Sequence, residues 1–119
     1  MGHPLGRLKR REDFLRVAAA RKKRVATGFV LQACPHPDAG ADMRVGFTAS
    51  RKVGGAVERN KTKRRLRAAA ATVLPELGKP GTDYVIIGRR DTATMPFDVL
   101  ENDLRHAVTK VLDSKSKRR

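Results

Sequence analysis

Apolar residues recur along this chain with two periods, and the periods divide it into elements. From Thr27 to Cys34 the period is two, with Phe29, Leu31 and Ala33 on one side and Val30, Gln32 and Cys34 on the other. Arg44 to Ser50 alternates in the same way, with Val45, Phe47 and Ala49 opposite Arg44, Gly46 and Thr48. Tyr84 to Gly88 is a β-branched run behind a Lys-Pro-Gly-Thr turn at 79–82, the pattern of a buried strand. Between these strands Leu66, Ala69, Ala70 and Val73 return at helical spacing. That stripe predicts a helix running from Gly54-Gly55 to about Leu74, where Pro75 and Gly78 end it. Pro96 to Leu112 predicts a last helix whose apolar face is Phe97, Leu100, Leu104, Val108 and Val111. Arg11 to Ala20 predicts a first one, with Glu12 and Asp13 in the turn where the helix dipole favours acids. Phe14 and Val17 share a face of it.

The remaining segments are polar. Residues 1–10 read as a mobile basic arm, 35–42 as a loop and 114–119 as a disordered basic tail. No repeat and no long linker interrupts the chain. The expectation is one domain over 1–119, with 1–6 and 114–119 as flexible basic tails.

Charge changes the picture most in the segment RKVGGAVERNKTKRRLR, residues 51–67. Arg59, Lys63 and Arg67 fall in one helical row, Asn60 and Arg64 in the next, and Lys61 and Arg65 on the far side. Like charges spaced i,i+4 destabilise an isolated helix. A polyanion that neutralises the row gives a reason to accept them. In a neutral protein such a cluster reads as a solvated face. Here it sits in a chain of formal net charge +15, whose field attracts phosphate backbones or anionic lipid. The stripe behind the charges is short and alanine-rich, without Trp or Phe, unlike a membrane-surface helix. Nucleic acid is the better partner.

Other chemistry is thinly represented. One cysteine, Cys34, leaves no internal disulfide and no multi-cysteine zinc site. His3, His36 and His106 lie in the arm, a loop and a helix, away from ligand spacing. Glu12 and Asp13 point apart, while Asp98 and Glu101 share a helix face as solvated charges. No glycine-rich phosphate loop is present, since LysValGlyGlyAla lacks the required spacing. No catalytic residue is therefore expected in the protein itself. The first residues carry charge but no apolar core of a secretory signal. No apolar run approaches the ~20 residues of a membrane span, and the expected compartment is cytoplasmic.

The central segment closely resembles the signature of the bacterial ribonuclease P protein component: Lys-x-Gly-x-Ala-Val, then Arg-Asn-Arg, then Lys-Arg and a further Arg. RLKRREDF (7–14), FVL (29–31), RVGFTASRKVG (44–54) and DYVIIGRR (83–90) are similar to the family's segments on either side. Lys61 stands where the family often has the second Arg of Arg-Asn-Arg, keeping charge but losing the bidentate fork. Ala18 and Gln32 stand where some members carry aromatics.

The resemblance implies an α+β sandwich: a mostly antiparallel sheet of about four strands, three helices and a left-handed βαβ crossover carrying the Arg-Asn-Lys segment. It implies the accessory subunit of a ribonucleoprotein endonuclease, whose RNA subunit hydrolyses the 5′ leader from precursor tRNA with bound Mg²⁺, none being held by the protein alone. Its partners would be ribonuclease P RNA and precursor tRNA, with no membrane and no obligate protein partner. The RNA-subunit surface would be Arg51, Lys52, Arg59, Asn60, Lys61, Lys63, Arg64 and Arg67, and the leader groove Phe14, Val30, Gln32 and Thr48. A ribosomal or RNA-chaperone protein that binds structured RNA without cleavage remains the alternative. A self-sufficient metal nuclease needs clustered acids that the sequence lacks.

Overall fold

The computed structural model describes residues 5–36 and 42–112. Five strands, β1 (Leu5–Arg7), β2 (Lys22–Val25), β3 (Phe29–Pro35), β4 (Met43–Ala49) and β5 (Thr82–Gly88), join three helices, α1 (Arg11–Ala19), α2 (Ala56–Leu77) and α3 (Phe97–Val111). The strands form one sheet in the order β1-β4-β5-β3-β2. β4 runs parallel to both β1 and β5, while β3 runs antiparallel to both β5 and β2. The sheet is thus mixed and five-stranded, where a mostly antiparallel sheet of about four was expected.

The two strands that the apolar pattern did not reveal, β1 and β2, come from basic segments. β1 occupies part of the expected mobile arm, including residues 5 and 6 of the expected tail; residues 1–4, 37–41 and the tail at 114–119 lie outside the described residues. β2 does alternate, with Lys22 and Arg24 half-buried and Lys23 and Val25 exposed, but cations occupy the inward positions. Long basic side chains can lay their stems on apolar surface while the charge reaches water or a carbonyl. Lys22 does so, its Nζ lying 3.4 Å from the Leu112 carbonyl oxygen.

The main core lies between the sheet and the layer formed by α2 and α3. Leu66, Ala69, Ala70 and Val73, the stripe read from the spacing, are all fully buried against Phe29, Leu31, Val45, Tyr84 and Ile86. On α3, Leu100, Leu104, Val108 and Val111 pack inward as expected. Phe97 does not: it opens the helix, is 39% exposed and lies under the Arg65 guanidinium at 5.8 Å. α2 also runs one turn past its expected end. Pro75 lies inside the last turn, where it removes one backbone donor, and the Gly78 N–H still returns to the Leu74 carbonyl at 2.8 Å.

α1 covers part of the opposite sheet face through a smaller core of Leu8, Val17 and Val85, with Phe14, Cys34 and Ile87 half-buried around it. A charged network anchors it. The fully buried Asp83 carboxylate accepts a two-pronged bond from Arg44, Nε to Oδ1 at 2.9 Å and Nη2 to Oδ2 at 2.7 Å. Arg16 reaches down from α1 to the same carboxylate and to Cys34 Sγ at 3.3 Å. No helix among the described residues is long and apolar enough to cross a membrane.

Candidate nucleic-acid interface

β4 and β5 are parallel neighbours joined through α2, so both strands end at the same edge of the sheet. Chain leaving β4 there makes a short helical turn, Arg51–Val53, whose start is held by the Lys52 N–H donating to Ser50 Oγ at 3.1 Å. Gly54 follows at φ 137°, a conformation side chains rarely adopt, and a Cβ there would press on Glu58 at 3.1 Å. Glu58, the one acid of the basic segment, turns back to accept the Gly55 N–H at 3.1 Å. It caps α2 and neutralises none of the cations.

Beyond that cap the expected RNA-binding residues are open to solvent. Arg51, Lys52, Arg59, Asn60, Lys61, Arg64 and Arg67 are exposed and Lys63 is half-buried. Among the described residues, no acid pairs with any of these seven cations; the ion pairs lie on α1, β4, β5 and α3. Arg65 is different. Its guanidinium donates to the Ala93 carbonyl at 2.8 Å and to that of Met95, fastening α2 to the segment after β5. The cationic surface is therefore narrower than the helical wheel suggests, since Arg65 serves the fold.

Of the four expected groove residues, Val30, Gln32 and Thr48 lie on the sheet face that α1 only partly covers, and Phe14 lies on α1 itself. Thr48, Ile87 and Val30 form one cross-strand row, continued by Val25, and Gly46, Val85, Gln32 and Lys23 form the next. A hollow of roughly 840 Å³ opens at the strand ends, lined by Val25, Thr27, Val30, Ser50, Lys52, Ile87, Gly88, Arg89, Arg90 and Asp91. Val30 lines it directly. Gln32 instead faces a smaller hollow of about 270 Å³ with Ala18, Arg21, Lys22 and Lys23. Thr48 is half-buried beside Ile87 without lining either. Phe14 lies half-buried over Gly46, where an added Cβ would come within 2.4 Å of the ring. It packs against the smaller core and lines neither hollow.

Arg89, Arg90, Asp91, Val25 and Ile87 complete the groove and were not singled out from the sequence. Arg89 and Arg90 end the segment DYVIIGRR, and adjacent arginines directly after a buried strand are the signal that marks them. Arg89 is steadied by donating to the Ala26 carbonyl at 2.8 Å, and Arg90 Nε lies 3.5 Å from the Lys52 carbonyl oxygen. The groove thus has an apolar floor of Val25, Val30 and Ile87 with cations along its rim. That combination suits single-stranded nucleic acid, which is held by a charged track and by contact with base faces.

The family model described as Ribonuclease P matches residues 4–112 of this chain. Among curated relatives, the ribonuclease P protein component of Paramagnetospirillum magneticum is 51% identical over 114 residues, covering 93% of this chain and 86% of the relative. That of Ruegeria pomeroyi is 53% identical over 107 residues, covering 87% and 84%. Among solved structures, the ribonuclease P protein of Staphylococcus aureus superposes with TM-score 0.71 at 29% identity, over 90% of this chain and 92% of that one. The Thermotoga maritima protein does so with TM-score 0.74 at 26% identity, over 88% and 96%.

Proposed function

Because the chain belongs to the ribonuclease P protein family, we propose that it divides two contacts between two faces: α2 binds the RNA subunit and the groove beside α1 holds the 5′ leader of precursor tRNA. The observation that carries this reading is the set of seven unpaired cations, Arg51, Lys52, Arg59, Lys61, Lys63, Arg64 and Arg67, on and just before α2. Among the described residues no acid neutralises them. Phosphates would, releasing the counterions condensed on the RNA. Asn60, exposed among them, supplies both a donor and an acceptor for a ribose or base edge.

The leader contact follows from the groove. Arg89 and Arg90 offer charge for successive phosphates, with Lys52 at the border between the two faces, and Val25, Val30 and Ile87 offer an apolar floor. Phe14 supplies the one aromatic edge nearby. With Ala18 and Gln32 on this face in place of rings, stacking contributes less than in a groove lined by aromatics.

Hydrolysis is assigned to the RNA subunit with its Mg²⁺, and the protein's share is electrostatic and positional. Among the described residues no three His, Cys, Asp or Glu side chains gather. Asp83, the best-buried carboxylate, is already committed to Arg44 and Arg16. The test is reconstitution. The protein, a ribonuclease P RNA and precursor tRNA are mixed at low Mg²⁺, and 5′ maturation is scored with each component left out. Cleavage that needs the RNA and is stimulated by the protein supports the assignment. RNA binding without stimulation would favour a ribosomal or chaperone role, and cleavage by protein alone would overturn it.

A further inference from the structure

A groove that holds a polyanion has little use for an acid, yet Asp91 lines this one. It stands where the 840 Å³ hollow meets a second of about 450 Å³, and Val25, Thr27, Arg89 and Asp91 are common to both. The side chain is exposed and, among the described residues, makes no ion pair, although Arg89 and Arg90 precede it directly. Arg89 is turned to the Ala26 carbonyl and Arg90 toward that of Lys52. Nor does the fold use the carboxylate. The residue's structural bonds come from its backbone carbonyl, which accepts from the Thr94 and Met95 N–H groups at 3.2 and 3.1 Å.

An ionised carboxylate is acceptor-only, with two oxygens side by side. Against phosphate it repels. Against the Watson–Crick edge of an unpaired base it is selective. Guanine offers two adjacent donors, N1–H and the N2 amine, that match the two oxygens. Cytosine and adenine each offer an amine beside an acceptor, while uracil offers one N3–H flanked by two carbonyl oxygens that the carboxylate repels. Single-stranded RNA exposes these edges, and the flanking cations hold the backbone while the base turns in.

From this geometry we propose that Asp91 is a specificity-determining residue of the groove, favouring a leader base with amine donors, guanine most of all, and disfavouring uridine. The proposal rests on the groove being the leader site. Its test uses the reconstituted holoenzyme and a series of precursors whose otherwise uridine leader carries a single guanine, walked one position at a time. Affinity is read for the native protein, Asp91→Asn and Asp91→Ala, and the exposed side chain makes both variants compatible with folding. At one leader position guanine should bind the native holoenzyme about 5- to 100-fold tighter than uridine, the range of a good bidentate base contact. Both variants should lose that preference, while the benefit of having a leader at all stays.

A preference unchanged in Asp91→Ala would overturn the proposal. So would variants that tighten every leader equally, the behaviour of a merely repulsive charge. A leader-length effect with no base preference in the native holoenzyme removes Asp91's role alone. A leader without effect at any composition removes the groove reading, and this proposal with it.

Discussion

Arg44 and Asp83 are direct register partners on the adjacent parallel strands β4 and β5, and their side chains close a two-pronged ion pair on the face that α1 covers. Arg16 completes the arrangement from above, so one buried carboxylate holds two strands and a helix together.

That carboxylate sets the acid limb of stability. Burial pushes the Asp83 carboxyl upward, but the hydrogen bonds from Arg44 and then Arg16 outweigh burial and hold it below its ordinary value. A depressed carboxyl stabilises the fold above its unfolded value of about 4. The contribution disappears as pH falls through the still lower folded value. Thermal unfolding should therefore be flat near neutrality and fall below about pH 4. Asp83→Asn should cost about 1–3 kcal/mol at pH 7, because it leaves half-buried guanidinium donors facing a neutral group, and should flatten the acid limb. Melts of the two proteins across pH check both.

Within α2, fold and function separate by face. Leu66→Ala should cost about 2–5 kcal/mol, since the side chain is fully buried between sheet and helix. Arg64→Ala should leave the thermal midpoint where it is and weaken RNA binding instead. Denaturant titrations paired with binding to ribonuclease P RNA distinguish the two.

Salt gives a count. With Arg65 committed to the Ala93 and Met95 carbonyls, α2 has five cations to offer: Arg59, Lys61, Lys63, Arg64 and Arg67. At roughly 0.7–0.9 per phosphate, log K against log salt should have a slope of about −4, steeper if Arg51 and Lys52 join. A slope shallower than about −2 would mean α2 is not the main RNA surface.

Phe14 should affect substrate choice more than assembly. Precursor and mature tRNA differ at this end by the leader, so Phe14→Ala should narrow the ratio of their affinities while leaving assembly with the RNA subunit intact. Gly46→Ala offers an independent route, because its Cβ would force the ring aside at a cost of about 1–3 kcal/mol. If neither variant moves the ratio, the ring serves only as core.

The elements that sequence patterning revealed are those whose apolar period is unbroken: β3, β4, β5, the α2 stripe and most of α3. β1 and β2 were hidden because their positions carry charge or glycine, and a three- or four-residue strand shows its period only once a neighbour supplies the register. Arg65 reads as one more outward cation for a related reason. A helical wheel places a side chain but cannot see the carbonyls that arrive 28 and 30 residues later. Phe97 reads as core because it is apolar at helical spacing, although it stays partly exposed under the Arg65 guanidinium. The motif drew attention to α2, whereas Lys52, Arg89 and Arg90 meet in the groove only because parallel strands end side by side.

The parallel pairing of β4 and β5 also determines what kind of tool the protein is. α2 emerges from the edge where the groove opens, on the opposite side of the same sheet, and Arg65 ties it to the segment that follows Arg89 and Arg90. The two proposed contact surfaces therefore belong to one fold and are tied together through Arg65. Such a fold acts as a gauge. Once α2 is seated on the RNA subunit, the span to the groove is a constant of the fold. On that proposal the leader would meet the cleavage centre at a fixed offset, whatever its length beyond the groove.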